Sequence, residues 1–485
     1  MVGSDEKRDI SHFGECVIEL ASNSPSSYSL LPSYKVFDKV RSVMPEKTVG
    51  VCLLGCGIVG GGVASLLLDQ KEMLRKRTGI TFELRHVAVK AKEDYPANAD
   101  KLPMTTDAIA AINDPASDII IELVGGTGVA GKFVEMALSL GKPVISANKA
   151  LLAARGPELF ALARKTGTCV AFEASVGGGI PIIDALCRGL AANRIDAILG
   201  IVNGTCNFIL TKMTQNGWTY DQALKEAQKQ GFAEANPAMD VQGHDAAQKL
   251  AILAGLAFNV RVTEADIHVE GIDKIDAMDI QYAGELGYVL KLLAIGQRMK
   301  GDLVSLRVHP TLVHKDEMLA DVSGSFNAIS IFSHALGHAL WYGRGAGRMP
   351  TASAVVADLV SVAQGIQKSL FDQMNIYMDK VPAANVLPFD QLESRYYIRL
   401  SAKDQPGVLA QVTAILGRQN ISVSAINQHE GGEQGRSVPI VITTHAAIEG
   451  KMQAALHELD ALPAILAPTM LLRIVDQPVE FAEPA

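Results

Sequence analysis

Basic excess, paired cysteines and long apolar runs are what this sequence has little of. Lys and Arg total 44 against 52 Asp and Glu, a net charge of −8. Nucleic acid and an anionic membrane both call for a basic surface, so the balance argues against either as a partner. The 6 cysteines (Cys16, Cys52, Cys56, Cys169, Cys187 and Cys206) form no CxxC pair and no dense secreted-type spacing, which fits a reducing compartment. No stretch reaches the ~18 unbroken apolar residues of a membrane helix. Residues 1–47 lack the basic start and apolar run of a signal peptide. A cytoplasmic protein is the expectation. What is present is a hydrophobic content of 48% over 485 residues. That is enough for roughly three domains of about 150 residues, whose ligands are expected to be small molecules.

After the Ser- and charge-rich extension 1–47, TVGVCLLGCGIVGGGVASLLL reads as buried strand, glycine turn and a helix running to about Arg77. FELRHVAVK (82–90), DIIIELVG (118–125) and PVISANK (143–149) are further strands with helical segments between them. Such alternation predicts an α/β, doubly wound parallel sheet of Rossmann type over 48–178, completed by about 345–370, with its ligand at the carboxyl ends of the strands. Over 179–344 the pattern changes to longer helices, expected at 219–230, 244–257 and 282–299, with strands AILGIVNG and LVSLRVHPTLV: a second, α+β domain for catalysis and oligomerisation. The proline-bearing stretch VPAANVLPFDQLESR lies in a linker spanning 371–394, and 395–475 reads as a small βαββαβ module.

Gly55, Gly57 and Gly60 form GxGxxG between strand and helix, the arrangement that brings a dinucleotide pyrophosphate to backbone and helix N-terminus. Ile58 and Val59 fall inside it. Lys90 ends the second strand, where a cation suits a 2′-phosphate, so NADP is expected over NAD; Glu93 and Asp94 close by leave a solvated charge cluster as the alternative. Lys149 follows a strand at the edge where cofactor and substrate should meet, or is an ordinary surface lysine. EASVGGGIP (173–181) is a tight turn, or a loop whose carbonyls turn inward on a hard cation. His334 and His338 share helical i, i+4 spacing, but without HExxH or a third ligand they do not read as a zinc site. YGRGAGRMPTASAV, with Gly347, either closes over a nicotinamide or caps a helix. Asp245 and Lys249 stand at i and i+4 on one helix face. As an exposed pair they would contribute only about 0.3–0.5 kcal/mol and carry no function.

GCGIVGGGV, SANKALLA, EASVGGGIP, NGTCNFIL, EANPAMDVQGHDAAQKL and YGRGAGRMPTASAV occur together, in this order, over about 48–370. In this the chain resembles homoserine dehydrogenases; DQPGVLAQV and NISV in the tail resemble an ACT domain, as in longer members of that family. Ile58 where Thr is common, Asn236 for Asp, and GGTGVA without its proline depart from the pattern. The resemblance implies NAD(P)-dependent interconversion of L-aspartate 4-semialdehyde and L-homoserine, towards threonine and methionine. It implies that Glu234 and Asp240 bind the substrate's polar groups, and that Lys249, oriented by Asp245, stabilises the alkoxide and delivers the proton, with Lys149 across the site. It implies a sodium or potassium ion on the carbonyls of Glu173, Val176, Gly178 and Ile180. For the ACT module it implies an amino-acid effector such as threonine near Asp404, Gly407, Asn420 and Ile421, and for the whole protein a homo-oligomer, dimer or tetramer. A different small-substrate dehydrogenase would share only the GxGxxG half. A non-catalytic amino-acid sensor would have lost Lys149, Asp245 or Lys249, and all three are present.

Overall fold

Six strands of two to nine residues, most of them followed by a helix, make the first layer. The computed structural model describes residues 47–94, 99–428 and 437–478; most of the extension, with Cys16, and the side chain of Glu93 lie outside them. Strands β1 (Lys47–Leu54), β2 (Ile80–Ala88), β3 (Met104–Thr105), β4 (Ile119–Glu122), β5 (Val144–Ser146) and β6 (Val170–Ala171) align in parallel in the order β3-β2-β1-β4-β5-β6. That is the doubly wound order, and its switch point lies between β1 and β4. β1 is buried from Val49 to Leu54, which is why it reads as an unbroken apolar run rather than an alternating one. The helix expected to reach Arg77 breaks at Gln70 into Ile58–Asp69 and Lys71–Thr78. Helix Arg348–Ala363 returns from far along the chain to pack on Ile58–Asp69, so closely that a Cβ on Gly62 would meet the Arg348 carbonyl at 2.8 Å.

The second sheet has eleven strands. β7 (Ile195–Ile201), β8 (His268–Val269), β9 (Tyr288–Arg298), β10 (Val304–His314), β11 (Phe326–Ser333) and β12 (Gly337–Arg344) supply one part. The other comes from β13 (Glu393–Lys403), β14 (Val423–Gln428), β15 (Ser437–Thr444), β16 (Ala447–Ile448) and β17 (Ile465–Ile474). Its main path is β12-β11-β7-β9-β10-β17-β13-β15-β14. The helix expected over 282–299 is two elements, helix Ala277–Glu285 and β9. β9 lies between β7 and β10 and is buried from Leu290 to Gly296. Covered on both faces, it carries no period-two signature, and a continuous apolar run does not distinguish strand from helix. His334 and His338 are not on a helix either. His334 lies in the turn of the β11–β12 hairpin, its ring accepting from Arg194 N–H at 3.0 Å, and His338 lies in β12, stacked on Phe332.

The tail folds as βαββαβ, with helices Val408–Arg418 and Glu449–Asp460 over one face. It is not a bead on a tether. β17 pairs in parallel with β10 through Thr311–Arg473 and Leu312–Ile474, making one sheet of the two modules. The proline-bearing stretch is pinned as well: Arg261 N–H donates to Pro382 O at 2.6 Å, Val304 N–H to Asn385 O at 2.9 Å, and Phe389 stacks on His268. Among the described residues no single helix is long and apolar enough to cross a membrane.

Candidate active site

Helix His244–Phe258 is buried on every side from Leu250 onward and packs beside helix Lys149–Lys165 of the first layer. Its amino end therefore opens where the two halves of the chain meet. Asp245, in the first turn, is well placed against the helix dipole. Its Oδ2 accepts from Lys249 Nζ at 2.7 Å and from Asn203 Nδ2 at 2.8 Å, and its Oδ1 lies 3.2 Å from Lys149 Nζ. Only 13% of the Asp245 and 13% of the Lys249 side chain is exposed, so the reading as a solvated surface pair does not hold. Burial by itself would raise the Asp245 carboxyl, but Lys249 and then Lys149 outweigh it and hold it down to about 2. The carboxylate is therefore a fixed negative charge between two ammonium groups, one from each half of the chain.

Lys249 spends a second N–H on the Val202 carbonyl at 2.7 Å. An ammonium has three donors, which leaves one to meet a ligand. Asn203 ends the segment after β7 and caps helix Gly204–Asn216, its Oδ1 accepting from Cys206 N–H at 2.8 Å. Its Nδ2 also reaches Asp240 Oδ1 at 2.7 Å, so one amide sets the orientation of both acids. Sequence reasoning missed Asn203; the signal was an Asn at the N-cap position of NGTCNFIL. Burial raises the carboxyl of Asp240, which lies in the same network. Burial also holds the Cys206 thiol well above its usual range, beside the Asp240 carbonyl, so it is no nucleophile. Glu234 is exposed, and no contact joins its carboxylate to this cluster among the described residues.

A cleft of about 680 Å³ opens at the carboxyl ends of β1, β2 and β4, lined among others by Gly55, Gly57, Lys90 and Asp94. Its glycines differ in what they permit. Gly55 has φ +96° and would set a Cβ 2.7 Å from the Leu123 carbonyl; at Gly60 a Cβ would lie 2.0 Å from the Gly55 carbonyl; at Gly57 it would meet nothing within 4 Å. Turn, close packing and an open face for a pyrophosphate are the three roles a dinucleotide requires. Ile58 is exposed and Val59 half-buried at the start of the following helix. Lys90 lies two residues beyond β2, which ends at Ala88 rather than at Lys90. Lys149 opens a helix instead of ending a strand, with Asn148 as the cap that bonds Leu151 N–H. Glu122 was also missed: buried at the end of β4, it accepts from Val124 and Gly125 N–H and from Ser146 Oγ, fixing the loop that forms the cleft wall.

The loop after Glu173 lies backbone against backbone on the segment before Gly347. A Cβ on Gly178 would meet the Gly345 carbonyl at 2.5 Å, and Gly179 N–H donates to Arg344 O at 3.2 Å. Gly347, φ +126°, caps helix Arg348–Ala363. The Glu173 carboxylate turns inward to Ile183 and Asp184 N–H, and burial pushes it up to about 7. Ile180 O is taken by Ile182 N–H at 2.8 Å and Glu173 O by Val176 N–H at 3.5 Å, while no backbone N–H reaches Val176 O or Gly178 O among the described residues. Those two carbonyls fit a hard cation. In the tail, Asp404 is exposed, Gly407 and Asn420 have φ +90° and +59°, and Ile421 is a core residue whose N–H goes to Leu416 O.

Residues 181–360 match the family model for homoserine dehydrogenase, 55–173 that for the homoserine dehydrogenase NAD binding domain, and 396–461 that for the ACT domain. The homoserine dehydrogenase of Pseudomonas aeruginosa is 42% identical over 434 residues, 89% of this chain and 99% of that protein. This chain belongs to the homoserine dehydrogenase family. The Neisseria gonorrhoeae homoserine dehydrogenase is 41% identical over 88% of this chain and 99% of its own. The crystal structure of a homoserine dehydrogenase from Thiobacillus denitrificans, 42% identical, superposes with TM-score 0.83 over 89% of this chain and 99% of that one. The chain is thus an oxidoreductase whose first layer binds a nicotinamide dinucleotide.

Proposed function

We propose that the protein interconverts L-aspartate 4-semialdehyde and L-homoserine, a step towards threonine and methionine, with NADP(H) preferred over NAD(H). The observation that carries this is the contact of Lys149 with Asp245, which joins a lysine beside the dinucleotide layer to the Asp245–Lys249 pair of the other domain. Gly55, Gly57, Gly60, Lys90 and Gly347 would hold the nicotinamide dinucleotide, which would supply the hydride when bound. Reducing an aldehyde needs a cation for the developing alkoxide and a proton donor within hydrogen-bond reach. Lys249 carries both roles, its third N–H aimed at the carbonyl oxygen while Asp245 and Val202 O fix the other two. Lys149 adds a second positive charge across the site. Asp240, turned by Asn203, and Glu234 receive the substrate's ammonium group. Of the carbonyls of Glu173, Val176, Gly178 and Ile180, those of Val176 and Gly178 would hold a sodium or potassium ion, whose role would be structural, tying the glycine loop to the segment before Gly347. The five free, buried cysteines among the described residues fit a cytoplasmic protein. Reduction of aspartate semialdehyde, followed by nicotinamide absorbance with each cofactor in parallel, tests the reading. Absence of turnover with both cofactors removes it.

The NADP preference rests on Lys90 in the cleft wall. Lys90→Ala is expected to raise the Michaelis constant for NADPH far more than that for NADH; equal changes remove the argument. The ACT module is read as regulatory, with Asp404, Gly407, Asn420 and the backbone of Ile421 as effector contacts. Threonine or another amino acid of the same pathway is expected to inhibit the full-length enzyme. If no such amino acid changes its activity or melting, the module serves assembly alone. Edge strand β14, with Ile426 exposed, suits pairing with a second copy in a dimer or tetramer.

A further inference from the structure

Where the catalytic strands meet the tail, a cleft of about 510 Å³ is lined from one side by Gln297, Arg298, Arg307 and His309 and from the other by Arg395 and Arg473. Two arginines in it are treated differently. Arg473 is held by Glu270 at 2.9 Å through two nitrogens and by Glu449 at 2.8 and 2.7 Å. Arg307, 6% exposed, donates only to neutral oxygens, Ser305 Oγ at 2.8 Å and Gln297 Oε1 at 2.7 Å. No carboxylate pairs with it among the described residues. A buried guanidinium is seldom left so. Its neighbour His309, 1% exposed, has Nδ1 engaged with Thr311 Oγ1 and Pro310 O, while Nε2 has no partner. The lining acids are committed elsewhere or open to solvent: Asp476 pairs with Arg395 and Asp196 with Arg194, and Glu393 is exposed.

We infer that this cleft is a binding site for a small oxyanion, a carboxylate or a phosphate, received by the Arg307 guanidinium and His309 Nε2. The fork of Arg307 matches two oxygens of such a group, and hydrogen bonds of this charge-assisted kind are the strong ones. His309 Nδ1–H donates to Pro310 O at 3.1 Å and to Thr311 Oγ1 at 2.9 Å, the Thr311 hydroxyl itself donating to His309 O, so Nε2 carries a hydrogen for the ligand in the imidazolium form, which a bound anion stabilises. Burial, and then repulsion from Arg473, push Arg307 down to about 10; a bound anion relieves that repulsion. Because the walls come from β7, β9 and β10 on one side and from β13 and β17 on the other, an occupant ties the tail to the catalytic sheet. The site lies apart from the ACT positions Asp404, Gly407 and Asn420.

The full-length protein is titrated calorimetrically with sodium phosphate and, in a second arm, with sodium succinate, each against sodium chloride of equal ionic strength; His309→Phe and Arg307→Gln are run beside it. Saturable binding in either arm is expected, and the arm that saturates names the anion. His309→Phe should weaken binding about ten-fold or more, as loss of a charge-assisted hydrogen bond does. Arg307→Gln should abolish it; if that variant does not fold, His309→Phe decides. No saturable binding in either arm overturns the proposal. So does binding that survives His309→Phe unchanged, because the anion then sits elsewhere.

Discussion

Lys249→Ala is expected to lower kcat by roughly 10²- to 10⁴-fold, the range for loss of a positioned proton donor. Fold and NADPH affinity should be retained. The argument runs through Asp245. With Lys249 removed, its carboxylate still has Lys149 at 3.2 Å and Asn203 at 2.8 Å, so the buried charge is not abandoned and the domain holds. What is lost is the N–H left over after Asp245 and Val202 O take two. An exposed pair would give a different result: under about 1 kcal/mol of stability and near-normal turnover. Stopped-flow and steady-state rates, with melting as the control for folding, separate these outcomes. Near-normal kcat in Lys249→Ala would move the proton-donor role to Lys149.

The second large effect is on stability and lies at the seam. Asp279 is fully buried and accepts from Arg399 Nε at 2.5 Å, Arg399 Nη2 at 2.9 Å and Tyr397 Oη at 3.2 Å, joining helix Ala277–Glu285 to β13. Asp279→Ala strands a half-buried guanidinium and a buried hydroxyl, and should destabilise the full-length protein by about 3 kcal/mol. Replacing both members, Asp279→Leu with Arg399→Met, should recover much of that loss, since a buried pair is often matched by apolar residues of similar volume. Urea midpoints of the three variants provide the test. A loss below about 1 kcal/mol for Asp279→Ala would mean that the tail adds little to the stability of the catalytic domain. The same bonds bear on truncation. Cutting after Pro388, which a separable tail would tolerate, removes Arg399 and exposes the edge of β10.

How much of this was legible in the sequence depends on the range of the interaction. The strand, GxGxxG and helix order is local: Gly55 must turn and Gly60 must let the Gly55 carbonyl approach, and both demands fall on neighbours along the chain. The spacing of Asp245 and Lys249 is equally local. β9 was misread because both its faces are buried, Leu292 and Ala294 in one apolar cluster and Leu293 and Ile295 in another, which erases the alternation that marks a strand. Asn203 and Glu122 carried little signal, since an Asn at a cap and a Glu at a strand end are common. Their importance lies in what reaches them: Asp240 and Asp245 in one case, Ser146 and the 124–125 backbone in the other.

The doubly wound layer, the βαββαβ tail and the identity of the acids and lysines follow from short-range periodicity and residue chemistry, and so can be read along the chain. That Asp245 and Lys249 are buried rather than solvated cannot, since it depends on helix Lys149–Lys165 closing over them. Nor can the continuation of the catalytic sheet into the tail. The join is two residue pairs between β10 and β17, and a strand's hydrogen-bonding partner is not encoded in its own side chains.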